Sequence, residues 1–404
     1  MENRNLSNLS LKEVVEELQK DNLRKNDMIV PSRLLSMVEG KLLVKSSEEN
    51  DVLNQLLIDT GITMEDSAFN LIQLGVLNTC HSHLSSRLGI PKKYYDMMLR
   101  EDDLSLIDHN VTHWLHSAKK NYLLRSFIDK EEKEGVARGL LSDRYNVMDN
   151  YDVMLATLQA VKETGVNVQI ESGDITDKKF YLRFTCPDIE VEAPELLRNY
   201  KVPNGNPSGN GIITGFVISN SETGFGTFSI SPRATVLACS NGMIFKDDAF
   251  AKRHLGSKLE EYSTIDWSEQ TRSKNFELVC SQVKDAIKTY ASKDYLMGKI
   301  QDLSDKGSKQ LSHPIDCVKN VTKHLTIAED KEKSILDYFF KSGDSTGFGV
   351  TQALTYFAQH DATPEERFDL ETKSVQILSE IDSFDVATVK PRKSSIGSSH
   401  SSLN

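Results

Sequence analysis

The most regular alternation of apolar and polar positions lies in residues 211–245, GIITGFVISNSETGFGTFSISPRATVLACSNGMIF. Ile212, Thr214, Phe216 and Ile218 fall on one side of an extended chain and Ile213, Gly215 and Val217 on the other, the period of a strand. Residues 220–224 are turn chemistry, because Asn and Gly tolerate positive φ and Ser bonds its own backbone. Residues 227–230 read as a second strand stopped by Pro232, which lacks a ladder donor. Residues 234–240 read as a third strand, followed by Asn241-Gly242, a dipeptide favoured in two-residue hairpins. The stretch predicts an antiparallel meander with Arg233 at one end and Cys239 beside a tight turn.

Upstream, residues 121–129 and 136–141 alternate as paired strands, 151–162 has helical spacing, and 166–171 and 178–186 alternate again. Residues 64–120 read as helical, with Pro91 opening a helix whose apolar face carries Tyr94, Tyr95, Met97 and Met98. The first 60 residues also read as helical and charged, with Leu11, Val14, Val15 and Leu18 at amphipathic spacing and a second helix over 31–37. Downstream come a long helix over 266–292 and helices at 315–324, 328–340, 351–360 and 364–379. The Gly- and Pro-rich run at 200–211 predicts a mobile surface loop. The expected organisation is a helical extension (1–60), an α+β core with an antiparallel sheet (61–260), a helical region (261–382) and a disordered Ser-rich tail (383–404) carrying Lys390, Arg392 and Lys393.

The run ISNSETGFGTFSI, then RATVLACSNGMIF and RHLGSK (253–258), resembles the phage/plasmid-like protein family, an uncharacterised family of phages, prophages and plasmids. LGIPKKYYDMM (88–98) and ARGLLSDRYNVMDNYDVM (137–154) fit it too, and TQALTYFAQHD (351–361) matches more weakly. The resemblance spans roughly residues 65–365 and implies a genomic setting and a fold, because the family has no established activity. At fold level, a curved sheet with helices on one face is similar to the single-strand-annealing recombination proteins of phages and eukaryotes.

Composition narrows the chemistry. A net charge of −11 argues against coating duplex DNA by bulk charge. There is no long apolar run, and the five scattered cysteines suit a reducing compartment, so a cytoplasmic protein is expected. His109, His113 and His116 share a helix face, yet no general base or thiol partner accompanies them; Cys80-His81-Ser82-His83 lacks a second zinc-ligand pair. The glycines of 205–211 lead into a strand and lack the Gly-Lys-Ser/Thr of a phosphate loop, and no Gly-x-Ser-x-Gly elbow occurs. Cys239 with His254 is the one nucleophile–base pairing to consider, against the ordinary fate of a strand cysteine as a buried, inert thiol. A non-catalytic chain without cofactor or metal is expected.

Nucleic acid leaves the more coherent trace. Between Lys178 and Lys258 ten basic residues face seven acidic ones, a local +3. On the strand over 178–186, Lys179, Tyr181 and Arg183 share one face while Phe180, Leu182 and Phe184 share the other. An exposed aromatic ring between two cations is a minimal platform for single-stranded nucleic acid, although the same pattern describes an ordinary solvated sheet face. Arg233, Lys246 and Arg253 are the further candidate phosphate contacts. The leading expectation is a homo-oligomeric single-stranded DNA-binding or strand-annealing protein. The alternative, from the net acidity and the long amphipathic helices, is a factor that binds a host or phage protein, away from membranes.

Overall fold

Extended segments build two sheets, and helices close each of them so far that the central strands are buried on both faces. The computed structural model describes residues 4–45, 71–101, 103–129, 134–202, 211–252 and 269–387. The fold is α+β. The larger sheet runs in the order β1 (Asn5–Leu9), β8 (Gln169–Thr176), β9 (Phe180–Glu192), β10 (Gly211–Asn220), β11 (Phe228–Val236) and β12 (Gly242–Ile244), with β13 (Phe250–Lys252) also on β11. The smaller runs β2 (Lys25–Pro31), β6 (Asn121–Asp129), β7 (Glu134–Ser142), β5 (Leu71–Val76), β4 (Lys41–Lys45) and β3 (Leu35–Val38), antiparallel except for β5 and β7. Where a single antiparallel sheet over 121–246 was expected, there are thus two.

Helices α1 (Leu11–Arg24), α5 (Asn150–Thr164) and α7 (Glu269–Tyr290) cover one face of the larger sheet. Their Val14, Leu18, Val153, Met154, Val283 and Ile287 pack on Phe180, Leu182, Phe184, Phe216 and Ile218, all fully or nearly fully buried. Each such side chain contributes about 1.5–3 kcal/mol by leaving water. Helices α2 (Asn78–Arg87), α3 (Lys92–Met98) and α4 (Ser105–Ala118) close the smaller sheet. The short α6 (Pro194–Leu197) and α8 (Lys293–Gly307) pack at the far end of the larger sheet. The chain then forms α9 (Pro314–His324), α10 (Glu329–Ser342), α11 (Gly347–His360), α12 (Pro364–Ser379) and α13 (Ile381–Phe384), which share a core of their own.

Three expectations need correction. The first 45 residues are no peripheral helical extension: beyond α1, residues 5–9 and most of 25–45 are strand, with Met28, Val30, Leu35, Met37, Leu42 and Val44 buried at a spacing of two within each strand. Of the helix expected over 31–37 only a single 3-10 turn at Ser32–Leu34 forms. Glu39 and Gly40, both at positive φ, make the two-residue turn between β3 and β4. Pro232 does not end its strand. Its carbonyl accepts from Phe245 N at 3.0 Å on the β12 side, so its missing N–H faces the gap where β13 has stopped at Ile230 and β12 has not begun. The ordered chain also continues past 383, since Asp385 accepts from Ser312 N (2.7 Å) and His313 N (2.6 Å). Residues 203–210 of the expected mobile loop and 388–404 of the tail, with Lys390, Arg392 and Lys393, lie outside the described residues.

The turn between β10 and β11 joins the two sheets. Arg125 of β6, fully buried, pairs with Asp27 (2.7 Å) and Asp149 (2.5 Å) and donates to the Glu222 carbonyl (2.8 Å). The Glu222 carboxylate pairs with Arg138 of β7 (2.7 Å) and accepts from Asn150 N (2.6 Å), the first amide of α5, where a carboxylate also meets the positive end of the helix dipole. Asp149 takes Lys25 as its second cation at 2.6 Å. His83 completes the joint: Leu140 N donates to its Nδ1 (3.2 Å), so the ring is neutral, and it stacks on Phe225 of the turn at 5.0 Å.

Burial, reinforced by Arg87, pushes the His83 ring down to about 4, and burial does the same to His81, which contacts the Tyr95 hydroxyl at 2.9 Å. Both lie below the ordinary 6.5, so the unfolded chain takes up protons first as pH falls. Their stabilising contribution is present above about 6.5 and is lost toward 4. Denaturant unfolding at pH 7 and pH 5 should differ by about 2 kcal/mol for each ring, and His83→Gln should remove about half of the difference. An unchanged pH slope in the variant would refute the assignment.

Candidate nucleic-acid interface

Tyr181 and Arg183 do share a face of β9, opposite the buried Phe180 and Phe184. That face is not open. Tyr181 and Arg183 are both 0% exposed and Arg233, on β11, is 1% exposed, because helix α12 lies across them. The reading of an exposed platform is therefore corrected: alternation assigns residues to a face, and whether water reaches the face depends on what packs there. Lys179 is half-buried and Lys246 is exposed, while Arg253 lies outside the described residues.

The face beneath α12 is polar. From β9 to β11 the register places Tyr181 beside Ser219 and Ser219 beside Ser229, then Arg183 beside Val217 and Val217 beside Ser231. Arg233 lies one step further along β11, next to Ile244 of β12, and Gly242 sits close by. A Cβ on Gly242 would come within 2.0 Å of the Arg233 Nε, so glycine is what leaves room for the guanidinium.

Charge balance explains how these arginines are tolerated. Arg233 pairs with Glu171 (2.5 Å) and Glu371 (3.0 Å), Arg183 with Asp174 and with Glu371 (3.6 Å), and Arg367 with Glu171 and Glu371, each at 3.5 Å. Three guanidinium groups thus meet three carboxylates. Burial opposes ionisation of Glu371, yet Arg233, Arg183 and Arg367 together hold its carboxyl below the usual range. Arg233 moves up, since its close carboxylates outweigh burial, whereas Arg367 is pushed down to about 10 by burial and by Arg183, its own carboxylate contacts being longer. Arg367 also donates to the Asn8 side chain at 2.7 Å, tying α12 to β1.

The solvent-facing rim of this face carries lysines. The β8–β9 turn presents Lys178 and Lys179, and the β10–β11 turn lies against it: Ser221 Oγ donates to the Lys178 carbonyl at 2.7 Å. Lys178 Nζ stands 5.8 Å from the Phe225 ring centroid and Lys179 Nζ 6.0 Å from that of Tyr181. Burial pushes the Lys179 amine down, opposed by Glu365 and Asp369 of α12 and assisted by Lys246 and Lys178. The neighbouring cleft, lined by Arg4, Arg138, Lys178 and Glu222, has a volume of ≈ 20 Å³, room for little more than water.

The other constellations are structural. Burial raises the Cys239 thiol, the reverse of what a nucleophile needs, and His254 lies outside the described residues. His116 contacts the Leu35 carbonyl (3.1 Å) and Ser36 Oγ (3.3 Å). Among the described residues no group of three or more His, Cys, Asp and Glu could hold a metal ion, and no helix is long and apolar enough to cross a membrane.

Glu371→Gln should lower unfolding stability by about 3–5 kcal/mol, because it leaves buried arginines without a shared counter-charge. Lys178→Ala, on the exposed turn, should change it by less than about 0.5 kcal/mol. Equal melting of the two variants would disprove the ionic role assigned to Glu371. No protein-family model matches the chain, and no curated protein or solved structure matches it either.

Proposed function

We propose that the chain binds single-stranded nucleic acid, without covalent chemistry, along the rim formed by the β8–β9 and β10–β11 turns. The observation that carries this reading is the clustering of Lys178, Lys179 and Lys246 with the half-buried Phe225 ring on one edge of the larger sheet, in a chain that is otherwise acidic. Ammonium groups there seek backbone phosphates, and a partly exposed ring offers a base a stacking surface. One part of the rim, the β10–β11 turn with Phe225, is the SETGFGT run that carries the resemblance to proteins of phages and plasmids, where single strands arise during replication and recombination.

Anisotropy of labelled oligo-dT, the matching RNA and a duplex, measured across a salt series, tests the proposal. Binding of the single strands should weaken steeply with salt. Lys178→Ala and Lys179→Ala should each flatten the log–log slope by about 0.7, the increment for one phosphate contact on a single strand. Phe225→Ala should cost about 1–3 kcal/mol with little change of slope. Absence of salt-dependent binding would refute the reading and turn attention to a protein partner.

A further inference from the structure

A sheet face buried under a helix is ordinarily apolar, and the opposite face of this sheet obeys that rule. The face under α12 departs from it with Arg183, Arg233, Ser219, Ser229 and Ser231. The fit is also incomplete. Of fourteen buried side-chain polar atoms without a hydrogen-bond partner among the described residues, eight belong to Ser172, Tyr181, Arg183, Arg233, Arg367 and Glu371. Four of the eight sit in the long ion pairs of Glu371 and Arg367, and the other four, Ser172 Oγ, the Tyr181 hydroxyl, Arg183 Nη2 and Arg233 Nε, have neither. A cover selected only for stability would leave fewer such atoms, since each costs free energy when dehydrated.

What α12 places on this face has a recognisable chemistry. The Glu371 carboxylate lies between Arg233 and Arg183, where a phosphate would be bound. One turn earlier, the Phe368 ring tilts over Tyr181 with centroids 5.0 Å apart, where a base would stack. Glu365 and Asp369 face Lys179 on the rim. Anion on arginine, ring on tyrosine and carboxylates on lysine together imitate a short stretch of single strand.

We propose that the polar face of the larger sheet is a second and more extensive binding surface for single-stranded nucleic acid, and that helix α12 occupies it as an intramolecular stand-in. The inference rests on the rim reading above, because a strand captured at Lys178 and Lys179 is the one that reaches the edge of α12. The helical unit is suited to the exchange. Leu370 and Ile377 of α12 belong to the separate core shared by α9 to α13, so α12 can leave the sheet as part of a body that keeps its own interior. Leu378 and Phe348 instead join the core that contains Met243 and Phe245, and uncovering those side chains is the cost that keeps the closed state dominant.

Hydrogen exchange on the full chain, with and without saturating oligo-dT, reads the opening directly. The amides of 364–379 should exchange at least about tenfold faster in the complex, as expected when a ligand selects the open form. Two variants on the accessible edge of α12, Glu365→Gln/Asp369→Asn and Phe368→Ala, should bind oligo-dT about tenfold more tightly than the parent at the same salt, with far-UV spectra and melting curves confirming that they fold. If the parent binds while the helix exchange and the variants' affinities stay unchanged, the stand-in is overturned and the rim reading survives. If neither the parent nor any folded variant binds, both fall together.

Discussion

Dehydrated guanidinium groups set the strictest constraint on this fold. An arginine side chain taken from water without a counter-ion would cost several kcal/mol, a large share of the margin by which a domain is stable. Each buried arginine therefore dictates where a carboxylate must arrive, and the carboxylates come from distant segments. Arg125 draws Asp27, Asp149 and the Glu222 backbone to the joint between the sheets. Arg183 and Arg233 draw Glu371 down from a helix near the other end of the chain. Hydrophobic burial drives the collapse, and these neutral clusters select how sheets and helices are registered within it.

The same constraint explains what could be read in the sequence. Strands at 121–129 and 211–220 were legible because they are long extended runs bounded by turn residues, although both of their faces are buried, and helices at 315–324 and 364–379 because their apolar positions recur at helical spacing. The N-terminal strands were not, because β3 and β4 are only four and five residues long and the strand that ties this hairpin into the sheet, β5, begins only at Leu71. The alternation in β9 separated Tyr181 and Arg183 from Phe180 and Phe184 correctly. It carried no information about α12, whose Glu371 is encoded almost two hundred residues later. A usable signal did exist in α12 itself: Arg367, Glu371 and Ser374 fall on the same inward stripe as Leu370, Ile377 and Leu378. Charged residues at core positions of an amphipathic helix announce an ionic partner inside the protein.

Clusters of this kind have a dual character. As an interior, the Glu371 cluster is poorer than a packed apolar layer would be, given its long ion pairs and the buried polar atoms around it that make no hydrogen bond. As a surface it is well equipped, with paired arginines, a tyrosine ring and hydroxyls on a rigid sheet. The rim of lysines beside it is where those two descriptions meet, because Lys179 belongs to both.

The position of α1 has a consequence for how the chain is made. Its two flanking strands enter different sheets: β1 pairs with β8, and β2 with β6. Arg4 meets Asp177, 173 residues further on, and Asn8 meets Arg367 after 359. At a synthesis rate of about 5–20 residues per second, the first strand waits roughly 10–35 s for its neighbour and longer still for its helical contact. Through that interval its edge is open to any other extended chain, including a nascent copy of itself. The polar sequence of β1, NLSNL, flanked by Arg4 and the capped start of α1, keeps that waiting edge a poor template for aggregation.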